Sequence, residues 1–123
     1  MTSTNDIMSI SESMDKIDTL IRTAVGKLTE RAIKKANTES NYDLQMAKTI
    51  VTLKSLGEVD LDGVMVKESA ASNVERIARG VCAKYLQERT LAELEYKNLI
   101  VGIDAMSGER NCLQSRFRHL DNK

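Results

Sequence analysis

Proline and tryptophan are absent from this chain, and aromatic side chains of any kind are scarce: one phenylalanine and three tyrosines. Without proline no residue forces a helix to stop, and with so few strand-favouring aromatics a bulky sandwich core is disfavoured. Burial must come from Leu, Ile, Val, Met and Ala, whose short side chains suit seams between helices. One histidine and two well-separated cysteines, Cys82 and Cys112, cannot supply the four ligands of a structural zinc site. They read as small thiols of a reduced, cytosolic protein. Neither sign of charge dominates, with 18 basic residues against 18 acidic ones, so any nucleic-acid contact has to rest on local patches. No apolar run approaches the roughly 20 residues of a membrane span. The opening stretch, MTSTNDIMSISESMDK, is polar and acidic, unlike a secretory or transit peptide. A chain of 123 residues is expected to form one domain, here in the cytoplasm.

What the chain does have is helical periodicity. Ile10, Met14, Ile17, Ile21, Ala24, Leu28 and Ala32 recur at spacings of three and four, the stripe of a helix lying along a partner. Ser3, Thr4, Asn5 and Asp6 precede it and supply N-cap chemistry. The stripe resumes as Tyr42, Met46, Ile50 and Leu53 and stops at Gly57, a C-terminal cap. This first arm is expected over residues 5–56, with a kink or break near 37–41, where ANTESN holds poor helix formers. Residues 57–65 read as a connector. A second arm over 66–119 carries Val66, Ala70, Val74, Ile77, Val81, Tyr85, Leu91, Leu94, Val101, Ala105, Cys112 and Phe117 as its stripe. Gly80, Gly102 and Gly108 lie inside it, either to admit another backbone or to mark a bend at MSGER. Glu75 with Arg79, and Glu93 with Lys97, stand at the i, i+4 spacing of helical ion pairs. The expected fold class is all-α: a long antiparallel helical hairpin or a small helical bundle with coiled-coil-like seams, covered further by self-association into an oligomer.

Catalytic constellations are missing from the sequence. His119 has no Ser or Cys partner, no GxGxxG or Walker pattern occurs, and the acidic pairs lie along solvated helix faces, so neither an enzyme nor a cofactor is expected. One stretch imitates a calcium loop: GEVDLDGVMVKES, with Glu58, Asp60, Asp62, Gly63 and Glu68. Counted from Glu58, Asp60, Asp62 and Gly63 fall at loop positions 3, 5 and 6, but position 12 is Ser69, and position 1 holds Glu where Asp is wanted. The stretch therefore reads as a turn and not a metal site. Basic residues are better placed. Lys27, Arg31, Lys34 and Lys35 share one face of the first arm with only Glu30 among them, as a phosphate-binding patch requires. A second group comprises Arg110, Arg116, Arg118 and Lys123, with Phe117 and His119 between them, where a ring could stack on a base.

Three segments in order carry a resemblance: ESNYDLQMAKTIVTLK, then KESAASNVERIARGVCAKYL after an acidic Gly-containing connector, then LAELEYKNLIVGIDAMSGERNCLQSRFRHL. Over about residues 36 to 120 the chain resembles the UvsY-like recombination mediators of bacteriophages, in pattern and segment order. That resemblance implies a ring-like homo-oligomer that binds single-stranded DNA. It also implies partners: a RecA-type recombinase, loaded onto strands that a single-strand binding protein has coated. Lys27, Arg31, Lys34, Lys35, Lys48 and Lys54 on the first arm are then the expected DNA-binding residues, chosen as a patch and not by a motif. The even charge and the few aromatics depart from what such binding favours. A different class of function also fits the helical periodicity: a protein-interaction module that inhibits or adapts a host or phage protein, for example within a defence system, by presenting a helix face to a groove.

Overall fold

The computed structural model describes residues 4–67 and 71–121. Three helices dominate: α1 (Thr4–Leu56), α2 (Ala71–Val81) and α3 (Ala83–Asp121), with a two-stranded antiparallel hairpin, β1 (Glu58–Leu61) and β2 (Val64–Lys67), between the first two. The fold class is all-α, as the periodicity predicts. The expected N-cap Ser3, the stripe residue Ala70 and the basic Lys123 lie outside the described residues, as do Glu68 and Ser69 of the acidic stretch. Helix α1 runs unbroken through the ANTESN segment. There the Thr38 hydroxyl donates to the carbonyls of Lys34 and Lys35, at 2.9 and 3.0 Å, so the poor helix former turns its side chain onto the helix itself.

The chain divides into two compact units. The first takes the described residues up to Ala32 together with those from Glu95 onward. On its α1 segment Ile7, Ile10, Met14, Ile17, Ile21, Ala24 and Leu28 are buried or half-buried, with Ile10 and Ile17 fully so. On α3 the corresponding seam is Tyr96, Leu99, Ile103, Met106, Arg110, Leu113, Phe117 and Leu120. Both seams keep strict three-four spacing, the signature of side-by-side helices. The helices run antiparallel: advancing from Asp18 to Arg31 on α1 means moving back from Arg110 to Glu95 on α3, as the Asp18–Arg110 and Arg31–Glu95 (2.6 Å) ion pairs require.

The α3 seam corrects the sequence expectation. Val101, Ala105 and Cys112, expected to face inward, are exposed, Val101 by 65 %. The inward series instead contains Arg110, a residue that apolar periodicity rejects. Its guanidinium is tolerated on the seam because Nε and Nη2 both donate to the carboxylate of Asp18. That hydrogen bond, with the Coulombic attraction behind it, raises the Arg110 pKa above the usual arginine range, so the pair stays cationic on its arginine side at any pH the fold meets.

The second unit, Ile33–Leu94, holds its own core. Leu53, Val74 and Ala78 are buried together, with Met46, Ile50, Val59 and Ile77 packed around them. Cys82 and Ala92 are buried as well, and the Thr49 hydroxyl lies 3.4 Å from the Cys82 sulfur. Leu91 and Leu94, expected in the buried stripe, are exposed by about half their surface. Val66, expected to open the second arm, sits on β2 opposite Val59. What reads as a plain connector is thus a hairpin that adds Val59 to the core. Asp62 and Gly63 form its two-residue turn with φ of 50° and 86°, the positive pair that type I′ demands and Asp-Gly supplies. Gly57 ends α1 as expected: its φ is 72° and its N–H returns to the Leu53 carbonyl at 2.8 Å. Between α2 and α3 the break is slight, because Cys82 N–H reaches Ala78 and Leu86 N–H reaches Cys82 at helical spacing. Gly80, Gly102 and Gly108 neither admit a neighbouring backbone, since a Cβ on each would meet nothing within 4 Å, nor interrupt α3 at MSGER.

Candidate nucleic-acid interface

The six basic residues expected to hold DNA all lie on α1, but they do not act alike. In the first unit Lys27 is exposed, whereas Arg31 is half-buried and donates from Nη1 to Glu95 Oε2 at 2.6 Å. Arg31 is therefore committed to the seam. In the second unit Lys34, Lys48 and Lys54 are exposed and Lys35 is half-buried. At 3.6 residues per turn, Lys34 and Lys48 fall about 40° apart around the helix and about 21 Å apart along it. Lys54 sits about 160° away from Lys34 by the same geometry and belongs to another side.

Between Lys34 and Lys48 the helix presents Asn41 and Gln45, half-buried, with the Gln45 amide donating to the Asn41 carbonyl oxygen at 3.5 Å. The acids that α1 carries between the two lysines, Glu39 and Asp43, are exposed but project about 140° or more from either lysine. On one side of α1 the second unit thus carries two exposed lysines and two amides, with the acids that lie between them in sequence on the opposite side. Sequence reasoning missed Asn41 and Gln45. The signal was present, because Lys27, Lys34, Asn41 and Lys48 recur at intervals of seven.

No protein-family model, curated protein or solved structure matches the chain.

The second basic group is divided by the fold. Arg110 is bound to Asp18, and Phe117 is half-buried in the α3 seam and so is no exposed stacking platform. Arg116, Arg118 and His119 remain on the surface near the end of α3. The imitation calcium loop is dispersed in the same way: Glu58 and Asp60 stand on β1, Asp62 is in the turn, and the Asp60 carboxylate accepts from Gly63 N–H at 3.0 Å. Among the described residues no group of three or more His, Cys, Asp or Glu gathers as metal ligands, and no helix is long and apolar enough to cross a membrane.

Proposed function

We propose that this is a non-enzymatic accessory protein of DNA recombination, of the mediator type, which binds single-stranded DNA along α1 and helps a RecA-type recombinase replace a single-strand binding protein. The observation that carries this reading is the row of Lys34, Asn41, Gln45 and Lys48 along one side of α1. Ammonium groups spaced along a rigid rod hold a phosphate backbone without reading its sequence, and amides add hydrogen bonds to sugar or base edges. Lys27 extends the basic character of α1 in the first unit. Such binding needs no bond-making step; the protein acts by holding a strand in a form that a recombinase can take over. The reading places the protein in the cytoplasm, the host's if a phage encodes it.

Two lysines bind a strand weakly, and a homo-oligomer supplies affinity by repeating the strip. The exposed apolar residues support self-association: Val101 with Ala105 and Cys112 on α3 of the first unit, and Leu44 and Val51 on α1 of the second. The same residues favour the second reading, a helical module that docks on a host or phage protein and inhibits or adapts it. The two readings separate in one titration of a labelled single strand with increasing salt. A mediator binds it, with affinity falling steeply between about 50 and 200 mM salt. A protein-docking module leaves the anisotropy flat.

A further inference from the structure

Beside the row of lysines and amides, α1 of the second unit carries a second line of residues. Ile33, Asn37, Ser40, Leu44, Ala47 and Val51 follow one another at alternating spacings of four and three, and every one of them is exposed. They fall within about 80° of one another around the helix. Ile33, Leu44 and Val51 each leave half their surface or more in solvent. The buried Thr49 and Leu53 lie about 180° round from the middle of this line, so the core of the unit uses the other side of the helix. Alternating four-three spacing is the period of a helix that lies along another helix. In heptad letters Asn37, Leu44 and Val51 stand at a, and Ile33, Ser40 and Ala47 at d.

We infer that this line is the seam of a parallel pair formed with α1 of a second copy of the chain. The flanking charges decide both the partner and the direction. Lys34 and Lys48 stand at e, and Asp43 stands at g. Parallel helices bring each g beside the e five residues further along the partner, so Asp43 meets Lys48 of the second copy, twice by symmetry. Antiparallel helices bring e beside e and g beside g. With Val51 laid against Ile33 of the second copy, that arrangement sets Lys34 against Lys48 and Asp43 against Asp43, and these like charges repel. Asn37 agrees with the parallel choice. There it meets Asn37 of the second copy and the two amides hydrogen-bond, which is how a lone polar residue at a fixes register. The antiparallel pair leaves Asn37 against Ala47. Ser40 and Ala47 bury little apolar area and the seam is only about 27 Å long, so the pairing is reversible and depends on concentration. Lys34 and Lys48 stay at its rim, and pairing repeats the basic row without covering it.

The inference deepens the reading above by giving its homo-oligomer a seam, and its test contains no DNA, so the two can fail separately. Cys82 is buried and Cys112 exposed, so Cys112→Ser gives a background with no exposed native thiol. In that background Ile33→Cys and Val51→Cys are oxidised mildly, alone and mixed, and linked peptides are identified by mass spectrometry. Each variant is expected to form a disulfide with its own kind, and the mixture to form no link between positions 33 and 51. Glu39→Cys, exposed but off the seam, is expected to stay unlinked. A 33-to-51 link, no link in either variant, or equal linking of Glu39→Cys overturns the inference. Sedimentation equilibrium of the unmodified chain reads the same pairing without a crosslink. Dimers are expected, weakened by about tenfold or more in Leu44→Asp. Asp43→Lys should weaken them less, and Asp43→Lys with Lys48→Asp should recover them. Circular dichroism is expected to show unchanged helix in each variant, because all these positions are exposed. Dimers as strong in Leu44→Asp as in the wild type overturn the inference. A wild type that stays monomeric at every concentration also overturns it and assigns the line to a different protein.

Discussion

Arg110 shows how a single side chain decides which face of α3 turns inward. It occupies a seam position between Met106 and Leu113, and Asp18 on α1 accepts its hydrogen bonds. Removing either partner leaves a half-buried charge without its counterion, which costs more than the pair itself contributes. Asp18→Ala is therefore expected to lower the urea midpoint, and Asp18→Arg with Arg110→Asp to recover more of it than either single change. An outcome in which the swap is no better than the singles would remove the pair from the account of register. Leu53 is the other decisive residue, 1 % exposed at the centre of the second unit. Leu53→Ala should destabilise by about 2–5 kcal/mol, measured by chemical denaturation, because Val74, Ala78 and Ile50 cannot close the space completely. Leu53 was legible from spacing alone, as were the α1 residues around it. The α3 seam from Ile103 to Leu120 was not, apart from Phe117, because apolar periodicity assigns a charge to solvent, and only the fold reveals that Asp18 stands opposite Arg110.

Among the elements, the hairpin carries the clearest lesson. Val59 and Leu61 before Asp62-Gly63, and Val64 and Val66 after it, give the alternating pattern and turn dipeptide of a short β-hairpin. Acids between those apolar residues favour a metal loop or a plain connector, and that expectation passed over the alternation that marks two short strands. Because Gly63 holds a positive φ of 86°, Gly63→Ala should cost about 1–2 kcal/mol in thermal or chemical unfolding. Calcium is expected to leave the melting temperature unchanged, since Asp60 is engaged with the Gly63 amide and the acids belong to strands and a turn. A rise in melting temperature on adding calcium would restore the loop reading. The long helices were legible because the missing prolines and the three-four spacing agree. The unbroken course of α1 across ANTESN was less so, as helix propensity is a weak prior that context overrides.

At the scale of the molecule, each unit has an interior and each leaves apolar residues on its surface, which is why the proposal joins strand binding to self-association. The site was legible only in part. Four basic residues at helical spacing pointed to α1, but Arg31 is held by Glu95, and Lys54 lies on another side from Lys34 and Lys48. Sequence spacing places side chains around a helix; it does not say which of them the rest of the fold has already engaged. The central claim is most directly tested by the salt dependence of single-strand binding, read by fluorescence anisotropy for the wild-type protein and for Lys34→Ala with Lys48→Ala. Each phosphate contact to a single strand contributes about −0.7 to the slope of log K against log salt, so losing two contacts should flatten that slope by about 1.4 per bound protomer. The account predicts that flattening together with weaker binding and an unchanged fold. Equal slopes for the two proteins, or no binding by the wild type at about 50 mM salt, would contradict it.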